Sequence, residues 1–375
     1  MTGRAKIKDI ARRAHVSPAT VSRALSDSGL VAEPTLSRIR EAARALNYRP
    51  NVSARNLRTR RSMAVLMVVR DIGNPFYLEI MKGVEAAARA AGYAVLMGNT
   101  ENDPEREVEY FDMLRDGHAD GMILMTGKLP SPSGFGGDRL ADLPVVVASE
   151  IIEGTRFPHV QIDNVAAAAE AVHHLIALGH QRIAHISGPV PEVLSVQRQQ
   201  GYRQAMADAG LRVARGYIQR GDYLLASGRA RCRALLDLPM PPTAIFCAND
   251  EMAFGAIHEL HQRGHDVPRD FSVVGFDDLY LSEAFYPPLT TISQPRADIG
   301  RRAMTTLLDV MSGKRGARQP VILPTELKVR GTTSSPRRGR NDLSRNEDSP
   351  QRHRDTEAHR EKTSRAPPAR KHSSL

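Results

Sequence analysis

Between residues 63 and 335 the chain alternates short apolar runs with amphipathic stretches of roughly ten to fifteen residues, and few architectures accommodate that alternation. The first run, Ala-Val-Leu-Met-Val-Val at residues 64–69, has no polar position facing water. A strand of that kind is covered on both faces, and its next parallel neighbour is reached only through a crossover helix. The pattern predicts strands at 64–69, 93–97, 121–125, 145–148, 160–162, 182–186, 244–247 and 272–276. Helices are predicted at 75–91, 103–115, 164–178, 195–209, 251–263 and 296–311. This is an α/β core of parallel sheets, too long for one such domain, so two lobes are expected. The lobes are drawn as 63–162 with 293–320, and 163–292 with 321–334.

The net charge of +10 is unevenly placed. Residues 1–62 hold 14 Lys and Arg against 4 Asp and Glu, whereas residues 63–335 hold 27 against 32. Residues 336–375 hold 11 against 6, with no Ile, Val, Met or aromatic side chain. A basic end beside a mildly acidic middle points to a polyanionic partner at the end and a different task in the centre. Residues 335–375 lack the apolar surface needed to fold and are expected to form a basic disordered tail. No apolar run approaches the length of a membrane helix, so no membrane partner is expected. No apolar leader follows Met1, and the two cysteines, Cys232 and Cys247, have neither disulfide-framework nor zinc spacing. Those features lead us to expect cytoplasmic residence.

The basic N-terminal segment has helical spacing. Ile7, Ile10, Ala11 and Ala14 share one face, and His15-Val16-Ser17-Pro18 breaks the run. Ser17 is a suitable N-cap and Pro18 suits the first position of a second helix through Leu25. A third amphipathic helix is expected over 34–47. By spacing alone this is either a helical hairpin or a helix-turn-helix that sets its second helix in a DNA major groove. The residues Ile-Lys-Asp-Ile-Ala and Val-Ser-Pro-Ala-Thr-Val-Ser-Arg-Ala-Leu, followed by Asn47-Tyr48-Arg49-Pro50-Asn51, resemble the DNA-binding headpiece of the lactose-repressor (LacI/GalR) family of bacterial transcription regulators. The resemblance extends over residues 6–334. It implies a headpiece at 1–50, a hinge helix or linker at 51–62, and a core at 63–334 that resembles periplasmic binding proteins.

Carried onto this chain, the resemblance makes Pro18, Ala19 and Arg23 base readers, with Ser17, Thr20 and Ser22 in phosphate or capping roles. Arg23 has the chemistry to contact guanine, while Ala19 and Pro18 offer only apolar contact. In the hinge, Asn51, Ala54 and Leu57 match family positions that enter the minor groove, Leu57 as an apolar wedge. The implied partners are a pseudo-palindromic double-stranded operator and a second copy of the chain, as a homodimer or dimer of dimers. No cofactor is expected.

Open parallel sheets bind ligands at the carboxyl ends of their strands. Asp71, Asn74, Phe76 and Tyr77 follow the first run, and Asp163, Arg198, Tyr223, Asn249, Asp250, Asp277 and Gln294 stand at comparable places. Carboxylates, amides and an Arg can hold hydroxyl groups, and aromatic rings can stack a flat face. Together they match the effector cleft of the family. The stretches Leu-Pro-Val-Val-Val-Ala-Ser-Glu150 and Arg220-Gly-Asp-Tyr223 resemble nucleoside- and nucleobase-responsive members. A nucleoside is therefore the expected effector and a sugar the alternative. Phe76 and Tyr77 would sandwich a base, and Asp163, Arg198 and Asp277 would hold a ribose.

Two other classes make different predictions. A solute-binding protein on the same core predicts a secretion signal and no headpiece. An enzyme on the same core predicts turnover of the bound ligand; no nucleophile elbow or Gly-Lys-Ser/Thr loop appears, and nothing in the sequence asks for one. His258, His261 and His265 read as a solvated helix face, since no Cys or carboxylate completes a zinc set. Gly134-Phe-Gly-Gly137 follows a Pro/Ser loop rather than a strand, the wrong context for a phosphate cradle.

Overall fold

The computed structural model describes residues 5–25, 29–48, 61–129, 142–314 and 319–337. The hinge positions Asn51, Ala54 and Leu57 and the tail from residue 338 lie outside them, as does Gly134-Phe-Gly-Gly137.

Three helices open the chain: α1 (Ile7–Ala14), α2 (Pro18–Leu25) and α3 (Glu33–Ala45). His15 ends α1 in the left-handed region at φ 54°, which turns the chain within three residues. Ser17 then accepts the Thr20 backbone N–H at 3.1 Å, capping α2 as its residue type predicts. Ile10, Ala14, Val21, Ala24, Ile39 and Ala42 form a small closed core among the three helices.

The remaining described residues hold two six-stranded sheets. The first contains β1 (Ala64–Val69), β2 (Ala94–Asn99), β3 (Gly121–Met125), β4 (Val145–Ala148), β5 (His159–Ile162) and β11 (Val321–Leu323), ordered β11-β5-β4-β3-β1-β2. The second contains β6 (Ile183–Ser187), β7 (Ile218–Arg220), β8 (Ala244–Cys247), β9 (Ser272–Asp277), β10 (Thr290–Ser293) and β12 (Glu326–Lys328), ordered β12-β10-β9-β8-β6-β7. Each order reverses beside its first strand, the doubly wound arrangement that leaves a crevice at that point. All pairings are parallel except β10 with β12.

Helices α4 (Phe76–Ala90), α5 (Pro104–Arg115) and α11 (Arg296–Met311) serve the first sheet. The second is served by α6 (Asn164–Ala177), α7 (Val193–Asp208), α8 (Leu225–Leu236), α9 (Asp250–Gln262) and the short α10 (Tyr280–Ala284). Strands β1, β3, β4 and β8 are buried along their whole length, as continuous apolar sequences require, and β9 is buried throughout even at its polar ends Ser272 and Asp277. The close packing of α4 on α11 depends on two glycines. A Cβ at Gly83 would stand 2.1 Å from the Ala297 carbonyl oxygen, and one at Gly300 would stand 2.0 Å from that of Ile80.

The lobe boundary needs one correction. The last crossing was expected at residue 320, yet β11 pairs with β5 in the first sheet. The chain crosses only between Leu323 and Glu326, since Val321-Ile-Leu323 supplies an apolar edge strand to the first lobe. It crosses earlier after β5 and again between β10 and α11. The sequence pattern does not show strands β7, β10, β11 and β12 or helices α8 and α10.

Candidate functional site

Two surfaces hold the expected residues. On α2, Val21 and Ala24 are buried, whereas Pro18, Ala19 and Arg23 are exposed. The core packing therefore turns the expected base-reading residues outward along one helix face. Thr20 and Ser22 flank that face, half-buried. Arg23 reaches back along it, Nε donating to the Ala19 carbonyl at 3.4 Å.

The second surface is a cavity of about 460 Å³ between the two sheets, at the carboxyl ends of their strands. Of the expected effector residues, Phe76, Tyr77, Arg198, Tyr223, Asn249 and Asp277 line it, as do Asp71 and Asn74. Arg198 comes from α7 and is almost wholly buried. Its Nε donates to Asn164 Oδ1 at 2.9 Å and its Nη1 to the Ala248 carbonyl at 2.6 Å. The guanidinium lies over the Phe276 ring, 3.8 Å from the centroid, and Nη1 stands 3.8 Å from Asp277 Oδ1. Burial pushes the Asp277 carboxyl up to about 6 against the pull of Arg198. Tyr223, at φ 71°, exchanges a hydrogen bond with Ser195 at 2.7 Å, and its carbonyl accepts from Asn249 Nδ2 at 2.8 Å. The opposite Asn249 atom, Oδ1, caps α9 by accepting the Met252 N–H.

Three expected residues are not in the lining. Asp163 caps α6, its Oδ1 accepting the Val165 and Ala166 N–H groups. Asp250 is fully buried and accepts from Leu279 N, Ser282 Oγ and Thr291 Oγ1. Gln294 stands one layer back and donates Nε2 to Asp277 Oδ1 at 2.7 Å, orienting that carboxylate. Of the three residues expected to hold a ribose, only Arg198 and Asp277 line the cavity. The base sandwich is also corrected. Phe76 and Tyr77 meet edge to face, with an interplanar angle of 75°, so they cannot clasp one ring between parallel faces. Tyr77 is buried, which raises its phenol to about 12.

The cavity also contains residues that sequence reasoning missed, notably Arg70, Lys128, Ser149, Glu150, Glu192 and Asp222. Arg70 follows β1 directly, and Ser149 and Glu150 follow β4. The strand-end rule that found Asp71 could have found them. Ser149 has φ 57°, and its hydroxyl is buried without a hydrogen-bond partner among the described residues. Arg70 donates Nη1 to Glu192 at 2.8 Å and Nη2 to Glu150. Burial raises the Glu150 carboxyl above its usual range, opposed by Arg70. No cluster of three metal-ligating side chains occurs among the described residues.

Comparison with known proteins explains the pairing of these two surfaces. Residues 6–51 match the model for bacterial regulatory proteins of the lacI family, and residues 172–333 match a periplasmic binding protein-like domain. The HTH-type transcriptional repressor CytR of Escherichia coli K12 is 41% identical over 329 residues, spanning 88% of this chain and 96% of CytR. The chain belongs to the LacI family. It is a transcriptional regulator with a helix-turn-helix headpiece, not an enzyme. Its fold is similar to the lac repressor dimer bound to operator and the anti-inducer ONPF, with a TM-score of 0.79 and 26% identity over 88% of this chain and all of that one. The transcriptional regulator CelR in complex with cellobiose is 31% identical, with a TM-score of 0.66 over 88% of this chain and all of that one. No described helix is long and apolar enough to cross a membrane.

Proposed function

We propose that the chain represses transcription as a homodimer, reading a pseudo-palindromic operator with the exposed face of α2 and releasing it when a nucleoside occupies the cavity. The observation that carries this reading is the cavity wall. Arg198 and Asp277 face it from the second lobe, Ser149 offers an unsatisfied hydroxyl from the first, and Phe76 supplies an aromatic surface. A ring bearing several hydroxyls fits that combination of paired polar groups and one apolar face. A twofold dimer presents two copies of α2, matching two half-sites one helical turn apart. Pro18, Ala19 and Arg23 read bases, and Ser17, Thr20 and Ser22 position the helix. Asn51, Ala54 and Leu57 are assigned to the minor groove on the family resemblance alone. The site of action is operator DNA in the cytoplasm. By reciprocal coupling, whatever effector weakens the operator complex is itself bound more weakly by operator-bound protein.

A sugar is the second reading. The edge-to-face geometry of Phe76 and Tyr77 removes the base sandwich, and a solved relative is named as a cellobiose complex. The test is thermal unfolding of the full chain against nucleosides, nucleobases and simple sugars. A ligand at 100 times its Kd adds about 2.7 kcal/mol of stability. Stabilisation by a nucleoside that also releases operator DNA supports the proposal. Stabilisation by sugars alone replaces its effector class.

A further inference from the structure

Arg70 is placed where the two lobes meet in the cavity wall. It directly follows β1, so its backbone is fixed to the first sheet. Glu150 lies two residues beyond β4 in the same lobe. Glu192 belongs to the other lobe, immediately before α7. The Arg70 side chain is 17% exposed, and those of Glu150 and Glu192 are 10% and 24% exposed. Such partly dry ion pairs are screened less than surface ones. Burial by itself would lower the Arg70 pKa, yet the carboxylates of Glu150 and Glu192 outweigh it and hold the guanidinium charged.

We propose that Arg70 is an interlobe positioning residue: its ion pair with Glu192 draws the second lobe onto the first, and Glu150 governs how much of the guanidinium that pair receives. The asymmetry follows from chain connectivity. If the lobes separate, Arg70 keeps Glu150 and only Glu192 loses its partner. The Arg70–Glu192 contact therefore belongs to the approach of the lobes, while the Arg70–Glu150 contact survives in either arrangement. Two carboxylates share one cation, so weakening Glu150 strengthens the contact to Glu192. Glu192 also precedes Arg198 by less than two helical turns of α7. Fixing the start of α7 against β1 thus fixes Arg198 relative to Ser149 and Phe76 across the cavity. The inference rests on the cavity being the regulated site, though not on which effector fills it.

The test measures the distance between the lobes without any ligand. Spin labels are placed on the full chain at Glu105→Cys on α5 and Arg212→Cys after α7, both exposed positions. The native Cys232 and Cys247 are buried and do not compete for label. Dilution with unlabelled chain isolates the distance within one molecule. Glu192→Gln is expected to lengthen and broaden the distance distribution, and Glu150→Gln to narrow it towards the short end. An unchanged distribution in Glu192→Gln would overturn the proposal. Lengthening in Glu150→Gln as well would overturn it equally, because a merely structural cluster loosens whichever member is removed. Because no effector is present, failure of the nucleoside reading leaves this result intact.

Discussion

Arg198 was legible as a cleft residue through the family resemblance, but its burial was not, and the burial decides how it should be tested. Alanine there would strand the Asn164 amide oxygen and the Ala248 carbonyl, each lost partner costing about 1–3 kcal/mol. We therefore expect Arg198→Ala to lower the unfolding midpoint and also to abolish effector release. Arg198→Lys keeps the charge and loses the fork. It should retain most of the stability and still reduce effector response, as read by operator release in a filter-binding titration. The aspartates show the limit of residue-level reading. Asp163, Asp250 and Asp277 all stand at strand ends, yet only Asp277 faces the cavity. Asp163 is followed by α6, whose free N–H groups capture it. Asp250 is captured by Leu279, Ser282 and Thr291, donors from segments far away in the sequence. Its burial, reinforced by Asp277, pushes its carboxyl up to about 7. A carboxyl raised in the folded state stabilises the fold below its unfolded value near 4, and that contribution is lost as pH rises through about 7. Asp250→Asn should destabilise the chain at pH 5, with the deficit shrinking by pH 8, as urea midpoints at the two pH values would show. A deficit independent of pH would rule out a raised carboxyl.

At the scale of elements, the apolar strands of four or more residues were legible, and the three-residue strands and the polar β10 were not. Strand β10 reads Thr-Thr-Ile-Ser and β12 only Glu-Leu-Lys, too brief and too polar to show a period. Their positions are fixed by partners: Thr332 bonds the β10 backbone and the Val273 carbonyl, which sews the segment after β12 to the second sheet. Helix α2 was legible in full because its capping chemistry and its two-sided pattern agree. Arg23→Ala should weaken operator binding by about 1–3 kcal/mol and relax preference at one base pair, measured against sequence-randomised half-sites. An equal loss on every sequence would make Arg23 a phosphate contact. Where α4 crosses α11, Gly300→Ala would press a methyl group onto the Ile80 carbonyl. We expect a loss of about 1–3 kcal/mol from overpacking, seen as a lower thermal midpoint with DNA binding kept at low temperature.

Across the whole molecule, charge separates the two tasks. The basic excess of residues 1–62 serves DNA, and the acidic balance of the core extends into the cavity itself. Its wall holds the carboxylates of Asp71, Glu150, Glu192, Asp222 and Asp277 against the cations Arg70, Lys128 and Arg198, five against three. Two of those cations are engaged: Arg70 between Glu150 and Glu192, and Arg198 with Asn164, Ala248 and neighbouring Asp277. A phosphorylated ligand would thus enter a net negative enclosure with little cationic capacity to receive it, and its own desolvation would go uncompensated. An uncharged ligand meets no such barrier and can use each polar group of the wall as donor or acceptor. We therefore expect a nucleoside to bind at least ~10-fold more tightly than its 5′-monophosphate, a difference of about 1.4 kcal/mol, by calorimetric titration of the full chain. Because the discrimination comes from the summed charge of the wall, Glu192→Gln should narrow the gap by weakening monophosphate exclusion. Equal affinity for both ligands would place the phosphate outside the cavity, and tighter binding of the monophosphate would show that Arg70 or Arg198 exchanges its carboxylate for the ligand.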